Sequence, residues 1–168
     1  EEAAINSFIK RTGNLLDKNR IYSFPTRVDN SIFYPMCVEE CRKDIDLILS
    51  GYVMVAVGRL SWIKGWDLII DSIALLISEG IDCNLIFVGD GEDRQKILLR
   101  VKELGIANNV TITGFLPQTE VAKYINAADI CLAGSYQEGW SLAMCEIIAC
   151  GKSLVTTDVS GASAMIRE

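Results

Sequence analysis

From residue 51 onward the chain alternates short β-branched runs with longer stretches of helical spacing, and that alternation restricts it to crossover units built on a parallel sheet. Five strands are predicted: Val53 to Val57, Leu85 to Val88, Val110 to Thr113, Ile130 to Ala133 and Leu154 to Thr157. Each is nearly continuous in apolar residues, as a strand covered on both faces must be. Between the first two, Trp66, Ile69, Ile70, Ile73 and Ile77 recur at three- and four-residue spacing before Gly80, which predicts a crossover helix with a left-handed stop. Ile97, Val101 and Leu104 before Gly105 predict a second helix, and Val121, Tyr124 and Ile125 after Pro117 a third. A fourth is expected from about Trp140 to Cys150, before Gly151. A helix over 38–49, carrying Val38, Cys41, Ile45 and Leu49, leads into the first strand. The expected class is α/β, an open doubly wound parallel sheet with helices on both faces.

Residues 1–36 break that rhythm. A short helical stretch precedes RIYSFPTRVDNSIFYP, whose two prolines predict a strand followed by an extended linker. The expected division is 1–36 as the remnant of a preceding domain with its linker, and 37–168 as a ligand-binding domain truncated at its C-terminus. The chain opens on EEAAINSF without an initiator methionine and stops at GASAMIRE, where a new helix would begin, so both ends are expected to be cut.

A length of 168 residues, half of them apolar, suffices for one full core. The net charge of -6, without histidine or any Lys/Arg-rich run, argues against a nucleic-acid partner. No apolar run approaches the roughly 20 residues of a membrane helix, and the N-terminus lacks the order of a signal peptide. The piece is expected to be soluble and cytoplasmic. Its six cysteines (Cys37, Cys41, Cys83, Cys131, Cys145, Cys150) form neither a C-x-x-C nor a Cys/His cluster, and are expected to be small buried hydrophobes in a reducing cytosol.

In an open α/β sheet the ligand lies beyond the carboxyl ends of the strands, so the residues just after each strand carry the chemistry. After the first comes GRLSWIKG, with Arg59 at the strand tip and Lys64 where the next helix begins. After the second comes Gly89-Asp90-Gly91, a turn in which backbone can approach a ligand closely. After the fourth comes GSYQEGWSLAMCE, with Glu138 and Gly139 at a loop-to-helix junction and Glu146 about two turns inside. A helix starting near Trp140 aims unpaired N–H groups and its positive dipole end at the cleft, which suits phosphate oxygens. Arg59 can grip phosphate in bidentate fashion and Lys64 adds a point charge. Together they point to a nucleoside diphosphate whose departure needs no metal. Glu146, about 9 Å along the helix, would reach a ribose diol while Glu138 faces a sugar.

One apparent motif is set aside. Asp44-Ile45-Asp46 has the form of a metal-carrying D-x-D, but inside a helix residues two apart point about 200° from each other and cannot chelate together.

These residues carry a resemblance. The chain resembles the C-terminal, donor-binding domain of family 4 retaining glycosyltransferases, enzymes made of two facing Rossmann-like domains. Pro25-Thr26-Arg27-Val28-Asp29 with Phe33 and Pro35 is similar to that family's linker signature, and VGRLSWIKGWDLII to its phosphate-binding segment. Leu85 to Gly91 resembles its second strand and turn. GFLPQTEVAKYINAADICLAGSYQEGWSLAMCEIIACGKSLVTT resembles its signature region, including two glutamates separated by seven residues, Glu138 and Glu146.

The resemblance implies a Rossmann-like three-layer domain that binds a UDP- or GDP-linked sugar without a cofactor or metal. Catalytic roles would fall to Glu138, Arg59 and Lys64. The donor would be held by Gly58, Arg59, Lys64, Gly89, Gly91, Glu138, Gly139, Trp140, Ser141, Leu142 and Glu146, with Gly114, Phe115 and Leu116 lining the base pocket. Glu146 would take the ribose hydroxyls. Retention of configuration, a missing N-terminal acceptor-binding domain and any peripheral membrane contact through that domain are further implications. The chain departs from the pattern at Trp140-Ser141 (usually Phe-Gly), Ile147-Ile148 (usually Ala-Met), Lys152-Ser153 (no proline) and Ala164 (often glutamate). These departures bear on the donor sugar more than on the nucleotide. Two other readings compete: a nucleotide- or nucleotide-sugar-binding module without catalysis, and a sugar epimerase or phosphorylase on the same plan. A phosphorylase would need a cofactor-lysine context, and an epimerase acid-base groups for which Glu138 is the single obvious candidate.

Overall fold

The computed structural model describes residues 2–13, 15, 17–21, 27–159 and 162. Of the segment expected to hold a strand before the linker, Arg20 closes a short 3-10 turn and Ile21 is not in a strand, while residues 22–26, with Pro25 and Thr26 of the linker signature, and Ala164 lie outside the described residues. The elements run α1 (Glu2–Arg11), α2 (Val38–Asp44), β1 (Tyr52–Val57), α3 (Trp66–Ser78), β2 (Cys83–Val88), α4 (Arg94–Glu103), β3 (Val110–Ile112), α5 (Gln118–Ala127), β4 (Ile130–Ala133), α6 (Leu142–Ala149) and β5 (Leu154–Thr156).

The strands form one sheet in the order β3-β2-β1-β4-β5, and all its strand pairings are parallel. β1 and β2 pair along their whole length, from Tyr52 opposite Cys83 to Val57 opposite Val88. Because successive side chains alternate faces, the sheet sorts its apolar residues into two cores. Met54, Ala56, Leu85 and Phe87 pack with Ile70, Ile73, Ile97 and Val101 of α3 and α4. Val53, Val55, Ile86 and Val88 pack on the opposite face with Ala122, Ile125 and Ile147 of α5 and α6. This is the three-layer arrangement that continuous apolar strands require. Phe33, only 2% exposed, joins the second core, and the buried Asn126 ties its neighbourhood down. The Asn126 amide accepts from the Met36 N–H at 2.9 Å and donates to the Tyr34 carbonyl at 3.1 Å.

Two helices differ from expectation. α2 ends at Asp44 rather than running to residue 49, because Asp46 takes a left-handed φ of 49°. The Leu47 N–H donates to the Arg42 carbonyl at 2.8 Å and the Asp46 N–H to the Lys43 carbonyl at 3.2 Å, the paired bonds of a Schellman stop. Asp44-Ile45-Asp46 therefore straddles a helix end instead of lying inside a helix, and Asp44 pairs with Lys123 at 3.4 Å. α6 starts at Leu142, not near Trp140. Ser141 is its N-cap, with an extended backbone and a hydroxyl that accepts from the Met144 N–H at 3.4 Å.

The order of the strands sets the site. From β1 the chain winds outward through β2 to β3, then returns to lay β4 against the other side of β1. The winding reverses between β1 and β4, and a crevice opens where their carboxyl ends part.

Candidate functional site

The crevice is a narrow cleft whose walls include Gly58, Arg59, Lys64, Ser135, Glu138 and Ser141. Two loops meet there, and the way they meet explains two glycines. Gly65 has a left-handed φ of 61°, and a Cβ there would overlap the Gly134 carbonyl, so the loop after β1 touches the loop after β4 backbone to backbone. At Gly89, φ is 145° and a Cβ would overlap the Gly58 carbonyl. The loops after β1 and β2 are also stitched by backbone bonds. Gly58 N–H donates to Val88, Leu60 to Asp90 and Asp93 back to Leu60, each at 3.0 Å. Gly91 likewise packs against Leu60. Gly89 and Gly91 thus admit the close approach of the neighbouring strand-tip loop.

Glu138 sits at the centre of the β4 side, its side chain only 10% exposed. One carboxylate oxygen accepts from Lys64 Nζ at 2.5 Å and from the Ser135 hydroxyl at 2.9 Å. Ser135 is placed in turn by the Thr157 hydroxyl, which donates to its carbonyl at 2.6 Å. The two residues expected to act separately on phosphate and sugar are thus an ion pair across the cleft. Arg59 points outward, 70% exposed, and its Nε donates to Glu92 at 3.0 Å. The Glu92 carboxyl is held below its ordinary range first by its own backbone N–H and then by Arg59.

Glu146 lies four residues past the start of α6, about 6 Å along the axis and nearer one turn than the expected two. It is 7% exposed, and no hydrogen bond reaches its carboxylate from the described residues. Burial alone raises its pKa, the expected behaviour of a charge desolvated without compensation. Buried carboxylates are normally paired. Glu146 departs from that norm one turn inside α6.

The remaining predicted residues do not enter the walls of this cleft. Gly114 forms a bridge with Gly89 on the β2–β3 side, beside the Arg94–Asp90 ion pair at 3.2 Å. Phe115 is 80% exposed and Leu116 packs on the second core. Gly139, Trp140 and Leu142 form the outer lip of the β4 loop, with Trp140 and Leu142 exposed. Sequence reasoning missed Ser135 and Asp93. Asp93 is 2% exposed, and its carboxyl is held down by Lys96 at 2.6 Å and then by the Trp66 indole N–H at 3.1 Å. A lone serine beside Gly134 and an aspartate after G-D-G carry no spacing signal that marks them.

No disulfide joins any of the six cysteines, and Cys41, Cys83, Cys131 and Cys150 are buried as expected, while Cys145 is half-buried. Burial pushes Cys131 up to about 12 and Cys150 to about 11. Cys37 is exposed, contrary to expectation, with its Sγ 3.1 Å from Glu39. No helix among the described residues is long and apolar enough to cross a membrane.

A doubly wound sheet with a carboxylate-bearing cleft at its switch point defines a Rossmann-like α/β domain. Residues 38–168 match the family of glycosyl transferases group 1, and the chain belongs to that family. It is 30% identical over 149 residues to the D-inositol 3-phosphate glycosyltransferase of Segniliparus rotundus, a match that covers 86% of this chain and 33% of the relative. It is 26% identical to the N-acetyl-alpha-D-glucosaminyl L-malate synthase of Bacillus anthracis over 98% of this chain and 43% of the relative. The chain therefore spans between a third and a half of these relatives' length. The fold is shared with Anabaena HepE, solved in complex with UDP and glucose, at a TM-score of 0.81 and 20% identity. That match covers 99% of this chain and 45% of HepE. It is shared also with the C-terminal domain of the group 1 glycosyl transferase LpcC from Francisella tularensis, at a TM-score of 0.74 and 21% identity, covering 84% of this chain and 76% of that one.

Proposed function

We propose that this domain binds the nucleoside diphosphate portion of a nucleotide sugar and forms the donor half of a retaining glycosyltransferase whose acceptor half lies in another domain. The observation that carries the reading is the crevice at the switch point of the sheet, where Arg59, Lys64, Glu138 and the start of α6 converge, with the largely buried carboxylate of Glu146 one turn further along α6 and without a hydrogen bond from the described residues. A ribose diol supplies the two hydroxyl donors that such a carboxylate lacks. The free N–H groups of the first turn of α6, capped by Ser141, suit phosphate oxygens. Arg59 and Lys64 supply positive charge to the same oxygens, and Gly114 to Leu116 border the base. In the transfer step the leaving diphosphate takes the electron pair of its bond to the sugar, and these cations with the helix end stabilise that charge without a metal. Glu138, held by Lys64 and Ser135, is placed for the transferred sugar, and the amides of Gly139 to Leu142 for its phosphate. Six cysteines outside any disulfide support a reducing, cytoplasmic location.

Amide NMR with UDP and GDP as titrants tests the reading. Expected are saturable shifts at Gly58, Ser141 and Glu146, unchanged by EDTA. No shift with either nucleotide at millimolar concentration overturns the nucleotide site, and loss of binding on chelation overturns its independence from metal.

A further inference from the structure

Beside the cleft, and sharing Arg59 and Lys64 with it, runs a wider open groove floored by Trp62 and rimmed by Arg59, Glu92, Asp93 and Lys96. Trp62 is 60% exposed, yet its ring is fixed. It stacks on Tyr136 with centroids 4.9 Å apart and planes inclined by 23°. Tyr136 is itself anchored, since its hydroxyl donates to Asp67 at 2.6 Å and its N–H to the Ile63 carbonyl at 2.9 Å. One face of the indole is thus occupied by Tyr136 and the other is left free, a large apolar plane held in place before any ligand arrives.

The rim around that plane is polar but nearly neutral. Arg59 pairs with Glu92 at 3.0 Å and Lys96 with Asp93 at 2.6 Å, so donors and acceptors alternate around the ring. A protein hot spot would want an apolar surround. An apolar face ringed by groups that both donate and accept matches a pyranose, which has a C–H face and a periphery of hydroxyls.

We propose that this groove is a carbohydrate subsite in which a pyranose ring lies on the free face of Trp62, with its hydroxyls held by Arg59, Glu92 and Lys96. Its continuity with the cleft makes this sugar one part of an acceptor whose remainder the other domain holds. That role rests on the donor reading above, whereas the binding of a pyranose does not.

The test uses the 168-residue chain labelled with 15N, whose three tryptophans give three indole N–H signals. Methyl α-glucopyranoside, N-acetylglucosamine, maltotriose and chitotriose are titrated separately, because stacking on a C–H face tolerates differences among hydroxyls. At least one saccharide is expected to shift the Trp62 indole saturably, with a Kd on the order of 1–10 mM, while the Trp66 indole, bonded to Asp93, stays in place. Trp62→Ala should weaken that saccharide by about tenfold or more, with Trp62→Phe intermediate, as for loss of one aromatic stacking surface. Both variants should still bind UDP, which also shows that they are folded. Glu146→Gln should do the reverse, losing UDP and keeping the saccharide. If none of the four probes moves Trp62, or Trp62→Ala binds them as the parent does, the subsite is overturned while the nucleotide site stands. If the saccharide binds and UDP does not, the donor reading fails and the groove remains a sugar site without an acceptor role.

Discussion

The two walls of the cleft are built by different means. On the β1–β2 side the strand-tip loops are locked backbone to backbone: Gly58, Leu60 and Asp93 donate across the gap at 3.0 Å, and Gly89 presses on the Gly58 carbonyl where no side chain fits. On the β4 side the backbone contact of Gly65 with Gly134 and the Tyr136 N–H bond to Ile63 are joined by a set of side-chain bonds, through Lys64 and Ser135 on Glu138, Thr157 on Ser135 and Tyr136 on Asp67. Backbone contacts allow little substitution because they depend on the absence of a Cβ. Side-chain contacts can be changed one residue at a time, and that is the wall where the chain departs from its family's pattern at Trp140-Ser141. The β4 wall also carries two carboxylates in opposite condition: Glu138 is doubly bonded, whereas Glu146 has no bond from the described residues and is destabilised by burial.

The largest effect is expected on the backbone wall. Gly89→Ala places a methyl group into the Gly58 carbonyl at a φ of 145°, and should cost about 3 kcal/mol or more, read as a lower urea midpoint. A loss below about 1 kcal/mol would show that the β1 and β2 loops can part.

Glu146→Gln should move stability in the other direction. Its folded pKa is raised above the ordinary 4.5 by burial, so the folded chain binds this proton more tightly than the unfolded chain. The native state is therefore undiminished by Glu146 below about pH 4.5 and loses stability as pH rises through the raised folded value. The glutamine variant should exceed the parent by roughly 1 kcal/mol at neutral pH, with the gap closing as pH falls towards 4.5, followed by thermal melts across pH. An advantage that is constant with pH, or absent, would mean that the carboxylate is compensated after all.

Ser135→Ala removes one of the two bonds to Glu138 and should cost about 1 kcal/mol, well below the cost at Gly89. Equal costs at the two positions would erase the difference between the walls. Arg59→Ala should be the mildest: its pairing with Glu92 is exposed on both sides, so the melting temperature should stay within error. Nucleotide affinity in that variant should fall, and a large drop in melting temperature instead would make Arg59 a structural residue.

Much of this was legible in the chain because its signals are local. Continuous apolar runs marked five strands, three- and four-residue spacing marked α3 to α5, and the strand-tip rule brought Arg59, Lys64 and Glu138 to one cleft. Local signals failed at element ends. Helical spacing runs on through Ile45 and Leu49, yet Asp46 takes the left-handed turn that stops α2, and Ser141 delays α6 past Trp140. One end is set by a pair of backbone bonds and the other by a side-chain cap, neither of which periodicity records.

By itself, then, the sequence determined the elements, the α/β class and the strand tips on which the chemistry stands, because a period of two or three and a half residues is a property of neighbours along the chain. Only the tertiary structure decided that β4 returns beside β1, that Lys64 meets Glu138 from 74 residues away, and that Glu146 is buried without a partner. Strand order and cross-cleft pairing depend on which packing buries both faces of the sheet at once, a condition on the whole chain that no local window contains.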